Sequence, residues 1–163
     1  MYLRPLMQKD AQRMLEWMHD PSVVEKLQAD FAHKTIEDCL SFISASQTPT
    51  DVHLAIADNN DTYMGTVSLK HITDTNAEFA ITVHKEAMGK GYSIEAMKQI
   101  ISIGFNDYNL THIYWCVASD NLRAIRFYDK NNFPRVSAEQ ISIYGGYTPE
   151  QIGSYIWYQV NKE

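Results

Sequence analysis

Gly89 and Gly91 stand two residues apart in the stretch Met88-Gly89-Lys90-Gly91-Tyr92-Ser93. Before them runs Glu78-Phe79-Ala80-Ile81-Thr82-Val83, which reads as a strand; after them Ile94, Met97 and Ile101 recur at the spacing of one helical face. A glycine-bearing loop therefore feeds a helix N-terminus, where unpaired N–H groups and a partial positive charge gather. Glycine lets a ligand come close to such a backbone, so the loop has the makings of a phosphate or pyrophosphate site. A tight strand-to-helix turn without a ligand explains Gly-x-Gly equally well. Two familiar phosphate loops do not fit. The Walker pattern needs Gly-Lys-Ser/Thr where this chain has Gly91-Tyr92-Ser93, and the dinucleotide fingerprint needs Gly or Ala where Ile94 stands.

Further along, Ile113-Tyr114-Trp115-Cys116-Val117 reads as a strand, and Asn121 is a suitable cap for the segment that ends near Phe133. Tyr128 follows Asn121 by about two helical turns, on the same face. Strand alternation groups Glu78 with Ala80 and Thr82, opposite Phe79, Ile81 and Val83. If the apolar set packs inward, Glu78 faces a cleft or solvent.

The glycine loop and the later Asn-x-x-Ala-Ile-x-x-Tyr-x-Lys-x-x-Phe block, in this order, resemble the GNAT superfamily of acetyl-CoA-dependent N-acetyltransferases. The nearest branch holds the ribosomal-protein N-terminal, amino-sugar and diamine acetyltransferases. The likeness runs from about Tyr2 past Phe133. It implies an α/β (α+β mixed) fold: a single domain over residues 1–163, with a central, mostly antiparallel mixed sheet and helices on both faces. It also implies that the sheet is splayed between the strands of Glu78 and Ile113, with the pantetheine arm of the cofactor in the splay.

Moving an acetyl group from a thioester to an amine makes four demands. The pyrophosphate must be held, the acyl carbonyl positioned, the ammonium deprotonated and the thiolate protonated. The resemblance assigns the first to Met88, Gly89, Lys90, Gly91, Tyr92 and Ser93, mainly through backbone N–H groups. The family pattern is Gln/Arg-x-x-Gly-x-Gly/Ala, and Glu86 departs from it; Lys85 and Lys90 stand by to offset the charge. The second demand falls to Ile81, Thr82 and Val83, where a bulge in the family frees main-chain groups for the pantetheine and an N–H near Val83 could polarise the acyl oxygen. Simple strand pairing is the plainer reading of these three residues. Glu78 is the candidate base, directly or through a water, since burial beside a cleft makes a carboxylate a stronger base; a solvated strand carboxylate is the alternative. His84 and His53 are weaker candidates. Tyr128 matches the family tyrosine that gives its proton to the CoA sulfur. A phenol titrates near 10, above a thiol near 8.5, and so is protonated at neutral pH; the alternative is a core aromatic. Asn121 contacts the pantetheine or only caps its helix, and Arg126 reaches a cofactor phosphate or faces solvent. Cys116, mid-strand with no obvious base nearby, reads as a structural thiol rather than an acyl carrier.

Composition agrees with one globular domain: 163 residues are enough for a core, and 45% hydrophobic with 21% charged residues is the usual balance. A net charge of −6 argues against a nucleic-acid partner that relies on a basic surface. Cys39 and Cys116 form no Cys-x-x-Cys pair, which makes a reduced, cytoplasmic setting the default. No signal peptide, membrane span or metal-ligand cluster is visible, so no metal is expected; the co-substrate that the resemblance implies is acetyl-CoA. The acceptor is a small-molecule amine, such as an amino sugar or polyamine, or a protein N-terminus; the oligomeric state, monomer or homodimer, is open. The rival reading is a non-catalytic CoA-binding sensor or interaction module, favoured by Glu86 and opposed by the Asn121/Tyr128 pair.

The elements expected to position these residues follow in order. Tyr2 to Leu6 is a strand, Asp10 caps a helix carrying Met14, Leu15 and Met18, and Thr35 with Asp38 caps a second helix. His53–Ala57, Tyr63–His71 and the Glu78 strand form an antiparallel meander. Two last strands are expected near Gln140 to Tyr144 and Ser154 to Val160. The acceptor pocket is expected between the early helices, Trp17 to Phe31, and the loop of Tyr144, Gly145, Gly146 and Tyr147.

Overall fold

The computed structural model describes residues 1–27 and 29–163. Gln28, inside the expected acceptor wall, lies outside the described residues. The described residues form a seven-stranded mixed sheet in the order β1-β2-β3-β4-β5-β7-β6. Strands β1 (Tyr2–Pro5), β2 (Val52–Ala57), β3 (Tyr63–Lys70) and β4 (Asn76–Val83) make the antiparallel meander. The chain then crosses through helix α4 (Tyr92–Asn106) to β5 (His112–Ala118), which runs parallel to β4. Beyond β5 lie β7 (Tyr155–Asn161) and the short β6 (Arg135–Val136), both antiparallel to their neighbours.

Helices cover both faces, as the patterning requires. On one face, α4 and α5 (Leu122–Lys130) close over Val67, Leu69, Phe79, Ile113 and Trp115. On the other, α1 (Ala11–Met18), the short α2 (Pro21–Val24) and α3 (Ile36–Ser44) bury Met14, Trp17, Met18, Val23, Cys39 and Ile43 against Ala55 and Tyr63. A third cluster joins Tyr114 and Trp157 to Ile141 and Ile152 of α6 (Ala138–Ser142) and α7 (Pro149–Ser154). None of the helices among the described residues is long and apolar enough to cross a membrane.

Three local expectations meet different outcomes. Thr35 and Asp38 form the expected capping box: the Thr35 hydroxyl accepts from the Asp38 N–H at 3.2 Å, and the Asp38 carboxylate accepts from the Thr35 N–H at 2.9 Å. Asp10 holds the N-cap position of α1, but its carboxylate does not cap. It accepts two hydrogen bonds from the Arg4 guanidinium, each 2.8 Å, and one from the Met7 N–H at 2.8 Å. The buried ion pair outcompetes the cap and ties α1 to β1. The strand expected at Gln140–Tyr144 is instead the helix α6 and the residues after it. Ile141 and Ile143 alternate as a strand would, yet Ser137 caps a helix there through the Gln140 N–H at 3.3 Å, and Ile143 is left 71% exposed.

The ladder between β4 and β5 is short. Asn76, Ala77 and Glu78 pair with His112, Ile113 and Tyr114, and there the pairing ends. From Phe79 to Val83, β4 keeps β3 as a partner and has none on its other side. The sheet is splayed where the resemblance places the splay. A bulge does not free the edge, because the β3–β4 register is unbroken from Gly65↔Val83 to Lys70↔Glu78; divergence of the two parallel strands does.

Gly65 lets β3 lie close to this edge. A Cβ added there would stand 2.6 Å from the Thr82 carbonyl oxygen and 3.0 Å from the Val83 Cα. Both are backbone atoms, so the strand itself would have to move. Gly65→Ala is expected to lower stability by about 1–3 kcal/mol, read from urea unfolding; a stability equal to the parent would show that β4 has slack at Thr82.

Candidate active site

The splay opens a cavity of about 340 Å³ lined by Ile81, Thr82 and Val83 on one side and by Asn121, Arg123, Ala124 and Phe127 on the other. Met88, Gly89 and Ser93 close one end, and Val23 and Leu27 roof it. The glycine loop is built as the sequence requires. Gly89 and Gly91 take φ of 77° and 79°, left-handed values that favour glycine, and Gly91 is the N-cap of α4 with no side-chain cap. Among the described residues, the amides of Gly89, Lys90, Gly91, Tyr92 and Ser93 donate to no protein group. A row of free N–H groups at a helix N-terminus suits an anion such as a pyrophosphate. The unpartnered edge of Phe79–Val83 adds main-chain donors and acceptors along the cavity wall.

The loop is held from below by buried His84. Its Nδ1 accepts from the Glu86 N–H at 3.1 Å, which leaves Nε2 to carry the proton and donate to Glu16 of α1 at 2.7 Å. The Glu86 carboxylate, the residue that departs from the family pattern, pairs with Arg13 of α1 at 2.8 Å. That hydrogen bond and the arginine charge hold its acid below the usual range. The negative charge is answered first by Arg13 of α1, with Lys90 adding a smaller share.

A second cavity, about 210 Å³, adjoins the first at Leu27, Ile81 and Thr82. Glu78, Ala80, Trp115, Cys116 and Tyr147 help line it. Glu78 is only 3% exposed. Its Oε2 accepts a short hydrogen bond from the Tyr147 hydroxyl. Its Oε1 lies 3.5 Å from His71 Nε2 and 3.7 Å from Lys70 Nζ and has no hydrogen-bond partner among the described residues. Burial and the neighbouring carboxylate push the Tyr147 phenol well above its ordinary value, so it stays a donor. Trp115 Nε1 is the other sealed polar atom left unpartnered among the described residues.

The structure thus brings Ile81, Thr82, Val83, Met88, Gly89, Ser93 and Asn121 into one cavity and Glu78 into the next. Lys90, Gly91 and Tyr92 sit in the loop but outside the lining. Arg126 is exposed and outside it too; Arg123, Ala124 and Phe127 share the cavity face of α5, and Arg126 falls about 100° round the helix from its centre. Asn121 caps α5, its Oδ1 accepting from the Ala124 N–H at 3.3 Å, while also lining the cavity. Tyr128 is 7% exposed and lies outside both linings, packed on Trp115, Phe133 and Tyr158. Burial pushes its phenol well above the ordinary value. It makes no hydrogen bond among the described residues, yet its oxygen is not one of the sealed, unpartnered atoms, so it keeps some accessible surface.

The profile of the acetyltransferase (GNAT) domain matches residues 1–134. The chain belongs to the GNAT acetyltransferase family. GNAT acetyltransferases use acetyl-CoA. Spermidine N(1)-acetyltransferase of Escherichia coli K12 is 36% identical over 67 residues, a stretch that covers 41% of this chain and 36% of that enzyme. The chain therefore spans little more than a third of the curated relative it matches. Among solved structures, spermidine N-acetyltransferase of Vibrio cholerae in complex with CoA and spermine has a TM-score of 0.74 at 20% identity, over 83% of this chain and 82% of that one. A GNAT-family acetyltransferase of Bacillus anthracis has a TM-score of 0.74 at 18% identity, over 98% and 93%. At these identities the structures speak for the fold.

Sequence reasoning missed Tyr147 as the partner of Glu78 and Arg13 as the partner of Glu86. Neither pairing leaves a local signal, since the partners lie 69 and 73 residues apart. The Arg13–Glu86 pair is expected to matter for the loop. Arg13→Ala leaves a bare carboxylate beside the anion site and should weaken CoA binding by about two- to fivefold, the scale of an exposed ion pair. Adding Glu86→Gln should restore it. Calorimetric titration of CoA into the two variants checks this, and a double variant as weak as Arg13→Ala would show that Arg13 acts by another route.

Proposed function

We propose that the chain transfers an acetyl group from acetyl-CoA to a primary amine, by direct attack while both are bound. The observation that carries this reading is the meeting of two cavities at Ile81 and Thr82, one ending on the free amides of the glycine loop and the other holding a sealed carboxylate with one unpartnered oxygen. The thioester supplies the acetyl group and a thiolate leaving group. The chain supplies the rest. The Gly89–Ser93 amides hold the pyrophosphate, and the open edge of Phe79–Val83 takes the amide groups of the pantetheine. A main-chain N–H near Val83 steadies the acyl oxygen as it gains charge.

Glu78 takes the proton of the incoming ammonium at Oε1, directly or through one water, while Tyr147 holds Oε2 and fixes the carboxylate. Tyr128 returns a proton to the sulfur. Its raised phenol keeps that proton well into the alkaline range, because burial disfavours the phenolate. Acceptors consistent with the family are an amino sugar, a polyamine of the kind the spermidine enzymes are named for, or a protein N-terminus. The pairing of Glu86 with Arg13 removes the feature that favoured a CoA-binding module without turnover.

Thiol release from acetyl-CoA, followed over a panel of amines, tests the reading; CoA binding with no amine-dependent release would reduce the protein to a binding module. Glu78→Gln is expected to lower kcat by about 10²-fold or more with little change in KM for acetyl-CoA, and an unchanged kcat would remove Glu78 as the base. Tyr128→Phe should also cost about 10²-fold in kcat while CoA still binds. Turnover close to the parent's would leave Tyr128 as a core aromatic. In the parent, kcat should show no alkaline decline below about pH 10 from this group, since only its protonated form acts and its folded value is raised.

A further inference from the structure

A third cavity, about 270 Å³, opens from the Glu78 cavity and shares Ala29, Phe31, Lys70, Ala80, Ile81 and Thr82 with it. Its wall is apolar: Met14, Trp17, Met18, Phe31 and Phe42 line it. Its polar groups are already engaged with one another. Trp17 Nε1 donates to the Tyr63 hydroxyl at 2.9 Å, Tyr63 and Thr66 share a hydrogen bond of 2.7 Å, and His53 Nδ1 meets the Ser68 hydroxyl at 2.6 Å. Burial lowers the pKa of His53, so at neutral pH its ring adds no charge.

The lining charges also balance. Across the two adjoining cavities the lining carboxylates are Glu78 and Asp38. Asp38 accepts from the Thr35 N–H and hydroxyl at Oδ2 and feels the charge of Lys34. Lys70 and Lys34 are the lining cations, and Lys70 stands 3.7 Å from Glu78. The sealed polar atoms without a partner, Glu78 Oε1 and Trp115 Nε1, amount to one acceptor and one donor. An ammonium buried without a counter-charge is costly. A second ammonium entering this chamber would meet two lysines set against two carboxylates, a lining with no excess negative charge.

We propose that the acceptor is a monoamine with an aromatic or branched apolar body: its one ammonium meets Glu78 Oε1 and its body lies against Met14, Met18, Phe31 and Phe42. The proposal rests on the acetyltransferase reading and narrows it, setting aside polyamines and polyhydroxylated amino sugars. A polyamine brings extra charge to a lining already balanced, and a sugar brings hydroxyls against the apolar faces of Met14, Trp17, Met18, Phe31 and Phe42.

The test compares initial rates of thiol release from acetyl-CoA with 2-phenylethylamine, spermidine and glucosamine. The expected result is a kcat/KM for 2-phenylethylamine above that for each of the other two by about tenfold or more. Spermidine or glucosamine equal to or better than 2-phenylethylamine overturns the assignment and leaves the acetyltransferase reading standing. Silence with every amine, while CoA binds, overturns both. Lys34→Glu, on the exposed rim of the chamber, supplies the missing carboxylate without touching the core. It should move the spermidine to 2-phenylethylamine ratio of kcat/KM upward by about fivefold or more with KM for acetyl-CoA unchanged. An unmoved ratio would show that charge in this chamber does not choose the acceptor.

Discussion

Three residue pairs join β4 to β5, and the site exists because there is no fourth. Each strand keeps a full partner on its outer side, β3 for β4 and β7 for β5, so the sheet stays whole while its centre opens. At the point of divergence Phe79 and Trp115 meet edge to face, 5.4 Å between ring centres. The strands beyond it expose backbone N–H and C=O groups inside the protein rather than at its rim. Buried backbone polar groups demand partners, and an open edge is a template for whatever extended chain can pair with it. The pantetheine arm of the proposed co-substrate, with its two amides, would be such a chain, and binding it would satisfy the open backbone groups at the same time.

The aromatic cluster on the α4 and α5 face keeps the opening from collapsing. Trp115 packs against Phe79, Tyr128, Phe133 and Tyr158, with Tyr158 stacked at 5.6 Å and 8°. Rings of this size cannot be compressed without large loss of packing. The cluster therefore fixes where α5 lies, and with it the face bearing Arg123, Ala124 and Phe127. The Tyr158 hydroxyl donates to Asp129 at 2.9 Å, which anchors the far end of the same helix to β7. On the other side of the cleft, the Lys26–Asp120 ion pair at 2.9 Å ties the segment after α2 to the turn that precedes α5.

Much of this was legible in the sequence, and the parts that were not share a physical reason. The glycine loop, the Thr35 cap, the Asn121 cap and the face occupied by Glu78 all follow from spacing within a few residues. The splay came from resemblance, since no local pattern says that two parallel strands will part after Glu78. Residues near Gln140 misled because Ile141 and Ile143 alternate over too few positions to separate a strand from a helical turn. Arg126 lies about 100° round α5 from the centre of the face that Arg123, Ala124 and Phe127 present, and only the docked helix shows which face meets the cavity. Asp10 went to Arg4 rather than to its own helix because a buried guanidinium competes better than an N–H for the same carboxylate.

The two acids near the site show how the fold sorts charge by depth. Glu86, 59% exposed at its side chain, is neutralised by Arg13 and takes no position in either cavity. Glu78, nearly sealed, keeps one oxygen fixed by Tyr147 and one oxygen open, with Lys70 and His71 near enough to make burial tolerable but not bonded to it. Full pairing would have spent the second oxygen, and a carboxylate sealed with no charge nearby is costly to bury. The proposed role, receiving an ammonium in a dry place, needs the arrangement between those two. The 3.7 Å separation from Lys70 Nζ supplies it, close enough for charge to be felt and too long for the lone pair to be claimed.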